Sequence, residues 1–499
     1  MLVVRPQSSE GEGTYLVGSV RGKRGERPRV RVGAPDPSLT AVSGMAAVTE
    51  LVDRLGVIEA LDDAVGPIKQ RAGGFSAGEL LVGLAASQLA GEGFLVGLDR
   101  QRADVAGQVI APVPGLSSTT AAGLARRITD PQWTFVEAGV AQVSERMLAR
   151  VPAARAARLA STATIDVDAT DVEVYGRKKK GVDYNYQGQR CGRPHVATWA
   201  ETETPLAAEL LSGNEDPRSS VVGLLRRALA GLPRRVRSGR VRLRADAGYF
   251  AGELARAAFL EGVEFAIGAK RIAPLWRMLA GIAESDWTDA IDMAGAQVAV
   301  ADYRPDWWPA DTWLLVRRVR LDISQVSADP RSRRRRTLHP GQRALPLAEL
   351  EHADTIYAYS FILTNLDVST KDNAAAVEHW YRKRTIVENI FRDSKHGAAL
   401  RHLPSGYREV NTAWMWGALL AAAMAGWLHQ LTATTGRGGK LSGWGIRDGK
   451  AMIATLRHRI IRVPARLVSH AGQVILRPPP GHDLLAELLA RIRKLPALP

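Results

Sequence analysis

The spacing of apolar residues changes character along the chain. From about residue 41 to 160 they recur every three or four positions, in MAAVTELVDRLGVIEALDDAV, FSAGELLVGLAASQLAGEGF, STTAAGLARRI and WTFVEAGVAQVSERMLARV. That is the period of helices with one buried face. Ser76 stands ahead of the second run, and Ser117 and Ser118 ahead of the third, where a hydroxyl satisfies a first-turn amide. No heptad is sustained and no solenoid period is visible, so a helical domain is expected over 41–160.

After residue 160 short β-branched runs take over: TATIDVDATDVEVYG, PHVATWAETETPLAAELLSG, VRLRADAGYF and VEFAIGAK, with a helix at Ala255 to Glu261. Strands interleaved with helices outline an α/β fold, a mixed sheet flanked by helices, beginning with 161–270. Residues 271–355 hold further strand-like pieces, Trp307, Trp308 and Trp313, and the basic run Arg331 to Arg336, and read as a β-rich insertion. The core resumes over 356–435 with YSFILTNL and then HWYRKRTIVENIFRDSK. Residues 1–40 are Gly-, Pro- and Arg-rich and read as a basic flexible tail, and the basic 436–499 as a loosely packed tail or accessory unit. The apolar run from Ala413 to Leu428 is shorter than the roughly 20 residues of a membrane span and reads as a buried helix.

Composition narrows the partner. The 499 residues exceed one compact core, and 67 Lys and Arg against 51 Asp and Glu leave a net charge of +16. Basic residues spread along the whole chain favour nucleic acid over a membrane surface. The single cysteine, Cys191, excludes an intramolecular disulfide and a Cys-rich zinc site. MLVVRPQSSEGEG lacks the apolar core of a signal peptide, so a cytoplasmic, nucleoid-associated protein is expected.

Within HWYRKRTIVENIFRDSK, Tyr381, Arg384, Glu388 and Lys395 fall on a helical arc of about 60°. Trp380, Val387, Ile390 and Phe391 form an adjacent apolar face. Metal-dependent phosphodiester chemistry needs carboxylates converging from separate segments. Asp168 lies in the β-branched strand IDVDAT, Asp246 ends VRLRAD before the Gly248 turn, and Glu388 comes from the helix. Asp166 shares the strand parity of Asp168 and is able to share or replace its role; Asp171 and Glu173, of opposite parity, should point away. His195, His379, His396 and His402 lack a ligand-like spacing.

On these residues the chain resembles a DDE transposase of a bacterial insertion sequence, in the group marked by a Tyr, Arg, Glu, Lys signature with two, three and six residues between them. DAT at Asp168 to Thr170, and the strand-end Asp246 followed by Gly248 and Tyr249, match the other two blocks of that family, and the resemblance covers about 160 to 430. It implies a ribonuclease-H-like catalytic core split by a β-rich insertion. It further implies that Asp168, Asp246 and Glu388 hold two Mg²⁺ ions, with Mn²⁺ able to substitute. Tyr381, Arg384 and Lys395 would then bind phosphates, while Arg382, Lys383 and Arg392 either add backbone contacts or form solvated surface. Some relatives hold a flipped base with an aromatic of the insertion, which makes Trp308 a candidate. The implied activity is cleavage at inverted terminal repeats and joining of 3′ ends to target DNA. The implied assembly is a homodimer on double-stranded DNA, with 41–160 reading the ends. Two alternatives stand beside it: a catalytically idle DNA-binding regulator of transposase descent, and a nuclease of the same fold without strand transfer.

Overall fold

Eight strands carry the main sheet: β1 (Thr162–Ala169), β2 (Arg190–Trp199), β3 (Thr204–Ser212), β4 (Arg240–Ala245), β5 (Glu264–Ala269), β6 (Ala296–Ala301), β7 (Trp313–Asp322) and β8 (Thr355–Thr364). Their spatial order is β6-β7-β8-β5-β4-β1-β2-β3, and two-residue strands at 172–173, 183–184 and 288–289 extend its margins. The three central strands β1, β4 and β5 are parallel, and every other pairing is antiparallel. The parallel strands are buried on both faces, with Ile165, Val167, Leu243, Phe265 and Ile267 on one and Asp166, Arg244 and Ala266 on the other, as such strands must be when helices cover them. This is a mixed α/β fold. The computed structural model describes residues 2–4, 15–17, 30–70, 73–322, 326–327, 336–337, 355–435, 441–444 and 450–496.

PHVATWAETETPLAAELLSG is two strands: β2 and β3 form a hairpin whose turn sets Glu203 at φ 55°. The segment expected as an insertion does not stand apart from the sheet. All ten residues of β7 pair with β8, from Trp313 opposite Thr364 to Asp322 opposite Thr355, and β6 pairs with β7, so the segment lengthens the same sheet. Arg331 to Arg335 lie outside the described residues.

Contacts divide the chain into 1–37 and 38–499. In the first unit, expected as a tail without structure, Leu2–Val4 pairs antiparallel with Tyr15–Val17, since each is an apolar, β-prone triplet. In the second, helices fill most of 45–161. Ser76 accepts from the Glu79 amide at 3.1 Å while Glu79 accepts from the Ser76 amide at 2.7 Å, a reciprocal cap on the helix Ala77–Leu89. Ser117 caps the helix Ser118–Ala125 through the Thr120 amide.

The apolar run from Ala413 belongs to the helix Arg408–Thr432, buried almost throughout. Gly426 allows its close approach to the β2–β3 turn, because a Cβ there would stand 2.4 Å from the Thr202 carbonyl oxygen. No helix among the described residues is long and apolar enough to cross a membrane.

The described C-terminal residues are docked, which does not suit the first of the two expected forms, a loosely packed tail or an accessory unit. Arg457 donates to the carbonyls of Gln88 and Leu89, each at 2.8 Å, and Arg462 to that of Ala90 at 2.8 Å, covering the carbonyl end of the helix Ala77–Leu89. Ala465–His470 pairs with Leu39–Thr40, and the helix Asp483–Arg493 buries Leu485, Leu488 and Ile492.

Candidate functional site

β1 and β4 run side by side with Val167 opposite Ala245, so the following residues, Asp168 and Asp246, are neighbours at the carboxyl end of the parallel strands. Ligands of open α/β sheets gather at that end. Asp246 turns the chain there by accepting the Gly248 amide at 2.8 Å. Asp168 accepts its neighbour Ala169's amide at 2.8 Å, and its side chain is 16% exposed. Burial pushes the Asp168 carboxyl up to about 6; Arg384 pulls against that shift and the Asp246 charge adds to it. Both acids line a cleft of about 450 Å³ together with Tyr186, Arg193, Arg218 and Lys270.

Glu388 arrives from the helix Thr385–Arg392 and is 59% exposed. It meets Asp168 through a cation. Arg384 Nη1 lies 3.2 Å from Asp168 Oδ2, and its Nη2 lies 3.4 Å from Glu388 Oε1. Among the described residues no group of three or more His, Cys, Asp or Glu stands ready to hold a metal ion.

The expected single helical stripe is divided. Tyr381 lies in the last turn of the helix Lys371–Arg382, Lys383 and Arg384 form a joint, Glu388 lies on the next helix, and Lys395 sits in the π turn Asp393–Gly397. At the joint the Arg384 amide bonds the Tyr381 carbonyl at 2.9 Å and the Val387 amide the Arg384 carbonyl at 3.0 Å, three-residue spacings that tighten and deflect the path. Tyr381, Arg384 and Lys395 still turn toward the ends of β1 and β4. Tyr381 Oη donates to the Ala245 carbonyl at 3.2 Å, and burial pushes its phenol up to about 12. Lys395 Nζ donates to Thr170 Oγ1 at 2.6 Å and the Asp171 carbonyl at 2.9 Å, and burial pulls its ammonium below the usual lysine range.

Other candidates are drawn elsewhere. Asp166 is fully buried and held by Arg244 at 2.7 and 2.8 Å, and Arg244 also donates to the Trp380 carbonyl at 2.6 Å, so Asp166 is committed to joining strand and helix. Asp171 does not point away: β1 ends at Ala169, strand parity lapses beyond it, and Asp171 lines the cleft in the grip of Arg193 Nε at 2.6 Å and Asn185 Nδ2 at 2.8 Å. Trp308 is core, against Phe250 and Phe265. Arg392 is exposed and donates to Asn389 Oδ1 at 2.9 Å. Arg382 bonds Glu378 at 3.0 Å and Lys383 is exposed. His195 is buried on β2, opposite Ala169 of β1, with Nδ1 2.9 Å from Glu209 and its ring stacked on Tyr249; its Nε2 and the Tyr249 hydroxyl have no hydrogen-bond partner.

Sequence reasoning missed Tyr186, Arg193, Arg218 and Lys270. For Lys270 the signal was present, since it is the first residue after β5, the third parallel strand, as Asp246 is after β4.

The model of the family described as "Transposase DDE domain group 1" matches residues 23–331 and 343–497. None of the curated proteins compared with the chain matches it. Among solved structures, "Cryo-EM structure of piggyBac transposase synaptic complex with hairpin DNA (SNHP)" aligns at a TM-score of 0.40 and 9% identity over 83% of this chain and 78% of that one, too distant to transfer any residue's role.

Proposed function

The chain belongs to the transposase DDE domain group 1 family, and from that premise we propose a DNA transposase that binds the inverted terminal repeats of a bacterial insertion sequence, cuts there and joins the 3′ ends to target DNA. The observation that carries this reading is the pair Asp168 and Asp246 at adjacent parallel strand ends, in one cleft with Arg193, Arg218 and Lys270.

The order β3-β2-β1-β4-β5, antiparallel through the first three strands and parallel through the last three, supports a ribonuclease-H-like core over 161–270 and 356–435. The 271–355 segment is then an insertion that widens the sheet. We assign end recognition to the helical 41–160, because base readout needs an element apart from the phosphate contacts. Two ends must be held together, so the active form is a homodimer on DNA, working at the nucleoid in the cytoplasm.

Hard carboxylate oxygens suit Mg²⁺ or Mn²⁺. The Asp246 charge works with burial to disfavour the charged form of Asp168, a repulsion that a divalent cation relieves, and Glu388 is the third ligand. When bound, two such ions supply activation of the attacking hydroxyl and stabilisation of the leaving oxygen. Arg384 and Lys395 bind phosphates of the cleaved strand, exchanging their present oxygen partners for phosphate oxygens, and Tyr381 supports the Asp246 strand end they face.

The variants Asp168→Asn, Asp246→Asn and Glu388→Gln should each abolish cleavage of DNA carrying the element's ends while band shifts persist. Cutting by all three would end the metal-site assignment. Joining of pre-cut ends to a plasmid distinguishes a transposase from a nuclease of the same fold.

A further inference from the structure

The connection from the end of β1 into β2 is studded with side chains that a folded protein seldom leaves in water. Tyr175, Tyr184 and Tyr186 are exposed, the last at 88%, among exposed Arg177, Lys178 and Lys180. The turn bearing Tyr186 is nevertheless firmly built. Asn185 is buried; its Oδ1 accepts the amides of Gln187 at 3.0 Å and Gln189 at 2.9 Å, and its Nδ2 donates to Asp171 Oδ2 at 2.8 Å. Gly188, at φ 74°, closes the turn with its amide on the Asn185 carbonyl at 2.9 Å. Asp171 is in turn gripped by Arg193, and its carbonyl by Lys395. The anchoring runs directly from the Asp168 cleft to the turn, and Tyr186 lines that cleft together with both aspartates.

An aromatic ring standing in solvent on a fixed turn, beside a cleft lined by the carboxylates of Asp168, Asp171, Asp216 and Asp246 and by Arg193, Arg218 and Lys270, has little to do for the stability of this fold. Its chemistry suits the face of a nucleobase, with nearby cations for the phosphates on either side. The cleft, at about 450 Å³, is of the size that holds a small molecule, far short of a duplex. We propose that Tyr186 stacks on an unpaired nucleobase next to the phosphate presented to Asp168 and Asp246, so that the protein prefers DNA whose pairing is opened at that point. This deepens the transposase reading and rests on it for the identity of the ligand.

The test measures binding without divalent metal, by anisotropy, to fluorescein-labelled duplexes that are fully paired or carry an internal two-nucleotide mismatch, with 2-aminopurine in the mismatch reporting stacking. Wild-type protein should bind the mismatched duplex about 10-fold more tightly and quench the 2-aminopurine. Tyr186→Ala should lose both effects, while Tyr186→Phe and Tyr186→Trp keep them; the exposure of Tyr186 means that folding is unaffected, which melting curves will verify. Equal affinity of the wild type for both duplexes, or an Ala variant that still discriminates and quenches, overturns the proposal. Because no cleavage is read, failure of the Asp168, Asp246 and Glu388 variants to behave as catalytic residues would show up separately.

Discussion

Arg384 ties Asp168 to Glu388, with one guanidinium nitrogen 3.2 Å from the first carboxylate and another 3.4 Å from the second. The joint between two helices thus brings a cation to acids that the chain carries on a strand and on a separate helix. Asp168 stays strained in its charged form even so, since burial outweighs the pull of Arg384.

That strain has a sign. The folded carboxyl of Asp168 is raised from 3.8 to about 6, so the folded state holds its proton more tightly than the unfolded chain and loses stability as pH climbs from about 4 to 6. The full penalty, on the order of 3 kcal/mol, applies above that window. Metal-free Asp168→Asn should therefore be more stable than wild type at pH 8 in urea denaturation, with the difference vanishing near pH 4. Equal midpoints at pH 8 would contradict it.

Asp166 and Arg244 form a fully desolvated pair, and breaking it leaves a buried charge alone. Asp166→Ala should destabilise the protein by about 3 to 5 kcal/mol, whereas Asp166→Leu combined with Arg244→Met should recover most of the loss. Chemical denaturation of the three variants checks this. A double variant as unstable as the single one would mean that losing the Arg244 bond to the Trp380 carbonyl costs as much as leaving the Arg244 charge unpaired.

The contrast between Asp166 and Asp168 marks the reach of the sequence. Asp168 could be read from its β-branched strand and Asp246 from a strand that stops before a Gly turn, so both were legible. Depth was not: Asp166 shares the face of Asp168, and what separates them is Arg244 on the neighbouring strand, directly opposite in register. The bend at Lys383 and Arg384 left no trace, because both residues favour helix and no Gly or Pro marks the joint. The docking of the C-terminal arginines could not be read, since their partners are helix carbonyls, which carry no sequence signature.

Lys395 offers a check on phosphate binding. Partial burial holds its ammonium below the ordinary range, and its partners are neutral oxygens that a phosphate can replace. Lys395→Ala should weaken DNA binding and lower the slope of log affinity against log salt by about one. A slope equal to that of the wild type in a salt titration would leave Lys395 a purely structural residue.

Gly268 is the least conspicuous position with a strong expected effect. It lies on β5 where the strand passes the turn after Asp246, and a Cβ there would stand 2.7 Å from the Tyr381 hydroxyl and 2.8 Å from the Ala247 amide nitrogen. The tyrosine ring is packed in and hydrogen-bonded to Ala245, so the more yielding partner is the Asp246 to Tyr249 turn itself. Gly268→Ala should then move the Asp246 carboxylate away from Asp168 and cut cleavage at least 10-fold, in keeping with the cost of a misplaced reacting geometry. Affinity for DNA should change little, since the three atoms nearest the added Cβ belong to Tyr381, Ala247 and Asp246 and to none of the cleft cations. Pairing Gly268→Ala with Tyr381→Phe relieves the hydroxyl clash alone and leaves the Ala247 contact. If the double variant regains cleavage, the hydroxyl was the obstacle; if it does not, the turn after Asp246 is what the missing side chain protects.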